Sequence, residues 1–284
     1  MTRLLRTTGL AGHVLVCLAA VWAVVLATSH VTYSPLRRAM IVMAAVLAVV
    51  SLLGRLTAPV ADSVAARAIR GLGFVLAGLA VWGVVVEFWF DGDPSQLNPA
   101  IVERAGTGIP MGTAVFAIYF VAFLVWTRRG STLQPRTLVE SSAVAFGAVA
   151  VWALAVVALP PANVGLAFLF IVGAVVAAAA MARRHEASGT AVLQAALVTT
   201  VVGTQTLISV ADVMFHLGPD RWLPYAGPGP IGPEAQLAQN RVEAIDPYVG
   251  LLVLGALAVV GLVVTVLLSR ALARAEPAGE GAPA

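Results

Sequence analysis

Gln205, Ser209, Asp212 and His216 follow one another at steps of four, three and four residues. On an α-helix that spacing lines all four side chains along one face. They supply an amide, a hydroxyl, a carboxylate and an imidazole, a set suited to holding a small cation or polar solute or to relaying a proton. The stretch that carries them, 191–217, is apolar and long enough to cross a bilayer. Ionisable side chains are costly there and face a protein interior or a watery cavity.

An earlier segment repeats the device. Glu87-Phe88-Trp89-Phe90-Asp91 matches Asp212-Val213-Met214-Phe215-His216: an acid, a Phe three residues on, a polar group four residues on. Glu87 is flanked by Val84-Val85-Val86 and by Phe88-Trp89-Phe90. A carboxyl in such surroundings can donate or carry a proton, so Glu87 and Asp212 are the candidate acid and base. Asp212 and His216, four apart, can also share a divalent metal ion, with Asp91 and His30 at other helix ends completing its shell. His13, alone on an apolar segment, reads as an interhelical hydrogen bond. His185, in Arg183-Arg184-His185-Glu186, reads as a surface anchor without chemistry. Thr199, Thr200, Thr204 and Thr206 extend polarity from Asp212 toward Gln194. No other helix offers a polar track in its inner half.

Composition sets the elements that position these residues. The chain has 284 residues, 60% hydrophobic and 11% charged, which indicates an all-α polytopic membrane bundle rather than a soluble domain. All 17 basic residues are Arg, and most flank apolar runs, so they read as topology signals and not as a nucleic-acid surface. Cys17 is the single cysteine, which excludes an intrachain disulfide and a Cys-based zinc site. No phosphate-binding Gly-rich loop and no Ser-His-Asp order occurs.

Eight spans are expected, at about 9–29, 38–56, 70–90, 110–127, 139–159, 162–182, 191–216 and 248–269, the first a retained helix rather than a cleaved signal. Helices are the spanning form, because backbone polar groups in lipid pair within their own segment. Twelve of the 17 Arg fall on one side when both termini are cytoplasmic, which favours that orientation in a bacterial inner membrane. Arg37-Arg38 is the local exception. Nine of the 14 acids fall at the outer side, enough to attract cations there.

A four-plus-four parallel repeat is expected, with halves 1–135 and 136–270 and a disordered cytoplasmic tail at 271–284. Val21-Trp22-Ala23 matches Val151-Trp152-Ala153, the two acid-Phe motifs match, and Val102-Glu103 matches Val242-Glu243, all in the same order. Glu87 and Asp212 would then face each other across the interface between the halves. Two long outer loops, 91–109 and 217–247, follow the third and seventh spans. Asn98-Pro99 and Pro233-Glu234 each signal a short helix over the outer mouth, a lid or a docking surface for a membrane-protein partner.

Three functions fit these residues. The first is a transporter for a small cation or polar solute, with Glu87, Gln205, Ser209, Asp212 and His216 lining a pocket open to the outer face. The second is a membrane enzyme acting on a lipophilic substrate, with Glu87 and Asp212 as acid and base. The third is a non-catalytic subunit or assembly factor of a membrane complex. The lipid bilayer is the one partner composition demands.

Overall fold

Among the described residues, eight α-helices follow one another between residues 2 and 275. A computed structural model describes residues 2–29, 34–57, 60–61, 63–90, 99–131, 133–185, 189–224 and 233–275, parts of the helices by backbone alone. The elements are α1 (Thr2–Ser29), α2 (Ser34–Thr57), α3 (Val64–Phe90), α4 (Pro99–Thr127), α5 (Pro135–Ala158), α6 (Val164–His185), α7 (Gly189–Leu217) and α8 (Pro233–Ala275), with a 3-10 turn at Asp220–Trp222. Among the described residues, the extended contact is a single bridge between Val60 and Arg128.

Among the described residues, six segments are long and apolar enough to cross a bilayer: Arg37–Gly54, Pro110–Thr127, Pro135–Ala158, Val164–His185, Gly189–Leu217 and Glu243–Thr265. The protein is a membrane-embedded helical bundle. In α1 the described apolar stretch, Val16–Ser29, is shorter.

Local signals explain the helix boundaries. Ser63 accepts the amide of Ala66 at 3.1 Å and Asn163 accepts that of Leu166 at 3.1 Å, satisfying donors that a first helical turn leaves open. Pro135 opens α5 where its missing N–H costs nothing. Gly130, at φ 80°, makes the turn into α5 in a conformation that only glycine adopts freely. At the arginine-rich end, Arg70 is buried and reaches the last turn of α4, donating to Thr127 Oγ1 at 2.7 Å and to the Leu124 carbonyl at 3.0 Å. A guanidinium suits that position, where a helix presents unpaired carbonyls and partial negative charge.

Helix α7 is the axis of the bundle. It packs against α3, α5, α6 and α8, and 72% of its apolar length is buried against 22% for α6. Small and hydroxylic side chains make this possible, since they let neighbouring helices approach closely in lipid. Around α1, α2 and α4 a second core forms from Val16, Ala20, Ala23, Met40, Leu47, Phe74 and Phe120.

Three expectations change. The outer segments beginning at Pro99 and Pro233 are not separate short helices lying over a mouth; each runs without a break into the apolar helix that follows. Pro110, at the expected start of the fourth span, and Pro247, just before the expected eighth, sit inside α4 and α8. A proline removes one backbone hydrogen bond, and in a packed bundle neighbouring groups absorb that loss. Likewise α8 continues to Ala275, into the segment expected as tail. Residues 276–284, most of 91–109 by side chain, and 225–232 lie outside what is described.

Candidate functional site

The polar stripe of α7 is buried along its whole length. Gln205 and Ser209 are completely enclosed and turn toward α3. Gln205 Nε2 donates to the Gly73 carbonyl at 3.1 Å, and Ser209 Oγ donates to the Leu76 carbonyl at 2.9 Å, sharing its proton with the Gln205 carbonyl at 2.9 Å. Both side chains therefore fasten α7 to α3. Interhelical bonds of this kind contribute about 0.6 kcal/mol each in membrane proteins. Gln205 Oε1 has no hydrogen-bond partner among the described residues.

One and two turns further out, Asp212 and His216 form a buried pair. Their side chains are 7% and 4% exposed. His216 Nδ1 lies 2.9 Å from the Asp212 backbone carbonyl and 3.4 Å from its Oδ1. A carbonyl only accepts, so the proton sits on Nδ1. The second carboxylate oxygen, Asp212 Oδ2, is buried with no hydrogen-bond partner among the described residues. A carboxylate placed so needs a proton, a cation or a polar ligand to offset its burial.

Two further orphaned groups lie toward the same end of the bundle. Trp152 of α5 and Tyr248 of α8 meet edge to face with ring centroids 5.5 Å apart, and Tyr248 meets Phe215 of α7 at 5.6 Å. Trp152 Nε1 and the Tyr248 hydroxyl are both buried with no hydrogen-bond partner among the described residues. Buried polar atoms are nearly always satisfied, so these groups call for partners beyond the described residues. The strap after α7 closes over this end. Ala162 donates to the Trp222 carbonyl at 2.9 Å, Leu223 is buried, and Arg241 pairs with Asp220 at 3.1 Å. Gly218 is required there, because a Cβ would collide with the Trp222 ring and the Met214 carbonyl.

Polarity continues toward the opposite, arginine-rich end. At mid-depth the Tyr119 hydroxyl of α4 donates to the Leu252 carbonyl of α8 at 2.8 Å and lies 2.8 Å from Thr204 Oγ1. Below it, Thr199 of α7 faces α5, its Oγ1 2.9 Å from its own Ala195 carbonyl and 3.4 Å from that of Ser141. Thr137, Ser141 and Ser142 of α5 are all buried there. From Asp212 to Thr199 the helix rises about 20 Å, most of the thickness of a hydrocarbon core. The inner-half polarity that α7 alone lacked comes from α5. Its sequence signal was the hydroxylic pair Ser141-Ser142 with Thr137 one turn earlier, hidden in an otherwise apolar run.

The remaining candidates fall differently. For Glu87 the backbone is described and places it three residues before the end of α3, the helix to which Gln205 and Ser209 bond. Asp91 and His30 lie outside the described residues. Among the described residues no three His, Cys, Asp or Glu side chains gather as a metal centre would require. The chain matches no family model and is similar to no curated protein and no solved structure. The site is therefore argued from its own geometry.

Proposed function

We propose that the protein is a multi-pass membrane transporter for protons or another small cation, with Asp212 as the carboxylate that binds and releases the transported charge. The observation that carries this reading is Asp212 itself: buried on the central helix, paired with His216 through one oxygen, and without a hydrogen-bond partner among the described residues on the other. Intramembrane carboxylates of that kind mark ion pathways and proton relays. The run of buried polar residues from Asp212 through Ser209, Gln205, Thr204 and Thr199 to Ser141 supports a route along α7 and α5. Gln205 and Ser209 help to build that route by holding α3 against it. In this reading the arginine-rich end is cytoplasmic, in a bacterial inner membrane, and Asp212 loads from the opposite side.

A four-plus-four arrangement fits the same reading. Helix α1 packs on α3 as α5 packs on α7, and across the middle α3 meets α7 and α4 meets α8, each with its counterpart. Halves related by an axis along the membrane normal place the binding carboxylate at their interface.

The test is flux through the full-length protein in liposomes carrying a pH-sensitive dye, driven by an imposed membrane potential. Wild-type protein conducts protons or exchanges a monovalent cation for them, and Asp212→Asn, which keeps the shape and removes the charge, stops it. Flux unchanged in Asp212→Asn rejects the assignment.

One observation favours the enzyme reading. A groove of about 250 Å³ opens sideways between α6 and α8, walled by Phe168, Val172, Val176, Leu251 and Leu254. Such a groove accepts an alkyl chain, and a lipophilic substrate held there is turned over without transport. Product formed by wild type and lost in Glu87→Gln selects this alternative.

A further inference from the structure

The arginine-rich mouth of the polar run carries a charged cluster to which the sequence assigned no chemistry. Arg136 and Glu140 lie one turn apart on α5, and His185 ends α6. Arg136 Nε donates to Glu140 Oε1 at 2.7 Å, and a second guanidinium N–H reaches His185 Nε2 at 2.9 Å. Arginine cannot accept, so His185 Nε2 is the acceptor and the ring is neutral, with its proton on Nδ1. The same Nε2 lies 3.8 Å from Glu140 Oε1. One ring nitrogen thus stands between a donor it uses when neutral and an acceptor it would use when protonated.

We propose that His185, with Glu140, is the proton port at the arginine-rich end, the second terminus of the route that begins at Asp212; this rests on the transport reading above. A proton arriving from bulk water takes the lone pair of Nε2. The Arg136 N–H···Nε2 hydrogen bond is lost, and the new Nε2–H turns to Glu140 Oε1, which keeps its bond from Arg136 Nε. Return of the proton restores the original pairing, so charge and atoms balance without another reactant. Three features place the exchange here. The His185 side chain is 38% exposed and so reaches water, whereas Asp212 does not. Glu140 is the neighbour in sequence of Ser141, which with Ser142 and Thr199 forms the last buried polar level of the run. Histidine is the side chain suited to taking and giving a proton near neutral pH. Among the described residues, the charged groups around it are Arg136 and Glu140 from α5 and Arg183 and Arg184 from its own helix; the first described turn of α7, Gly189–Leu193, carries none.

The experiment is proton flux in liposomes for the full-length wild type, His185→Ala and Asp212→Asn, each with and without added imidazole. The port requires His185→Ala to conduct roughly 100-fold more slowly, the lower end for a positioned proton-transfer group. Free imidazole, which reaches an exposed site, then restores much of the rate in His185→Ala and nothing in Asp212→Asn. Flux in His185→Ala equal to wild type, with Asp212→Asn inactive, overturns the port and leaves the transport reading standing. Slow flux that imidazole does not restore also overturns it, because His185 is then only a tie between α5 and α6. A wild type that conducts nothing rejects the transport reading and the port with it.

Discussion

The first four helices, here the first half of the bundle, and the last four, the second half, pack differently. In the first half α2 packs directly on α4, and glycine makes the fit: a Cβ on Gly54 would collide with Leu124. In the second half α6 and α8 barely touch, and the apolar groove lies between them. The matched tryptophans part in the same way. Trp152 is wholly buried against Tyr248, whereas Trp22 is 48% exposed on the outside of α1. Buried polar groups follow suit. Those of the first half include Ser51, Arg70 and Thr127 near the arginine-rich end, with Arg70 capping α4. Those of the second half run along α7 and α5 and include the one buried carboxylate among the described residues. Both groups of helices bury polar side chains, but the buried carboxylate described lies in the second, where α7 is enclosed by its neighbours.

Removing the paired tryptophans breaks or confirms this contrast most directly. Trp152→Ala leaves a cavity among buried rings and should cost about 3–5 kcal/mol. Trp22→Ala trims a half-exposed side chain and should cost less, about 1 kcal/mol. Unfolding of the two variants in detergent gives the difference, and equal losses would mean that the halves are packed alike. Next in size is Gly255→Ala. Its Cβ would overlap the Tyr119 hydroxyl and press on Thr204, displacing the bonds that join α4, α7 and α8. Overpacking of this kind costs about 1–3 kcal/mol.

The seam between the halves is weaker still. Gln205→Ala and Ser209→Ala each remove one bond to α3 and should cost about 1 kcal/mol or less. The double variant adds the two losses if the bonds act separately, and falls short of the sum if the seam moves as a unit. Smallest is Asp220→Asn. It breaks an exposed pair with Arg241 and should shift stability by no more than about 0.5 kcal/mol, a difference that salt erases. A larger loss would show that the strap over Asp212 depends on that pair.

Membrane class, helical form and the central role of the 191–217 segment were legible in the chain. Twenty-residue apolar runs have few alternatives in lipid, and a polar stripe at helical spacing has one face to occupy. Expecting short lid helices failed for a local reason. Proline ordinarily ends or kinks a helix in water, yet at Pro110 and Pro247 the helix runs on, losing one backbone hydrogen bond at each. The partners of His185 were hidden for a different one: Arg136 and Glu140 are some fifty residues away in sequence and adjoin it only once α5 and α6 pack.

Sequence alone thus determined what must be buried and in what form. Hydropathy made the helices, and the spacing of Gln205, Ser209, Asp212 and His216 put them on one side of α7. Only tertiary structure decided what each of them meets. It gave Gln205 and Ser209 to the carbonyls of α3, left Asp212 Oδ2 without a partner among the described residues, and set Ser141 against Thr199. The physical reason is that periodicity within a helix follows from 3.6 residues per turn, whereas the partner of each face depends on which helices approach. That approach is settled by small residues such as Gly54, Gly73 and Gly255, whose effect is visible only in the packed bundle.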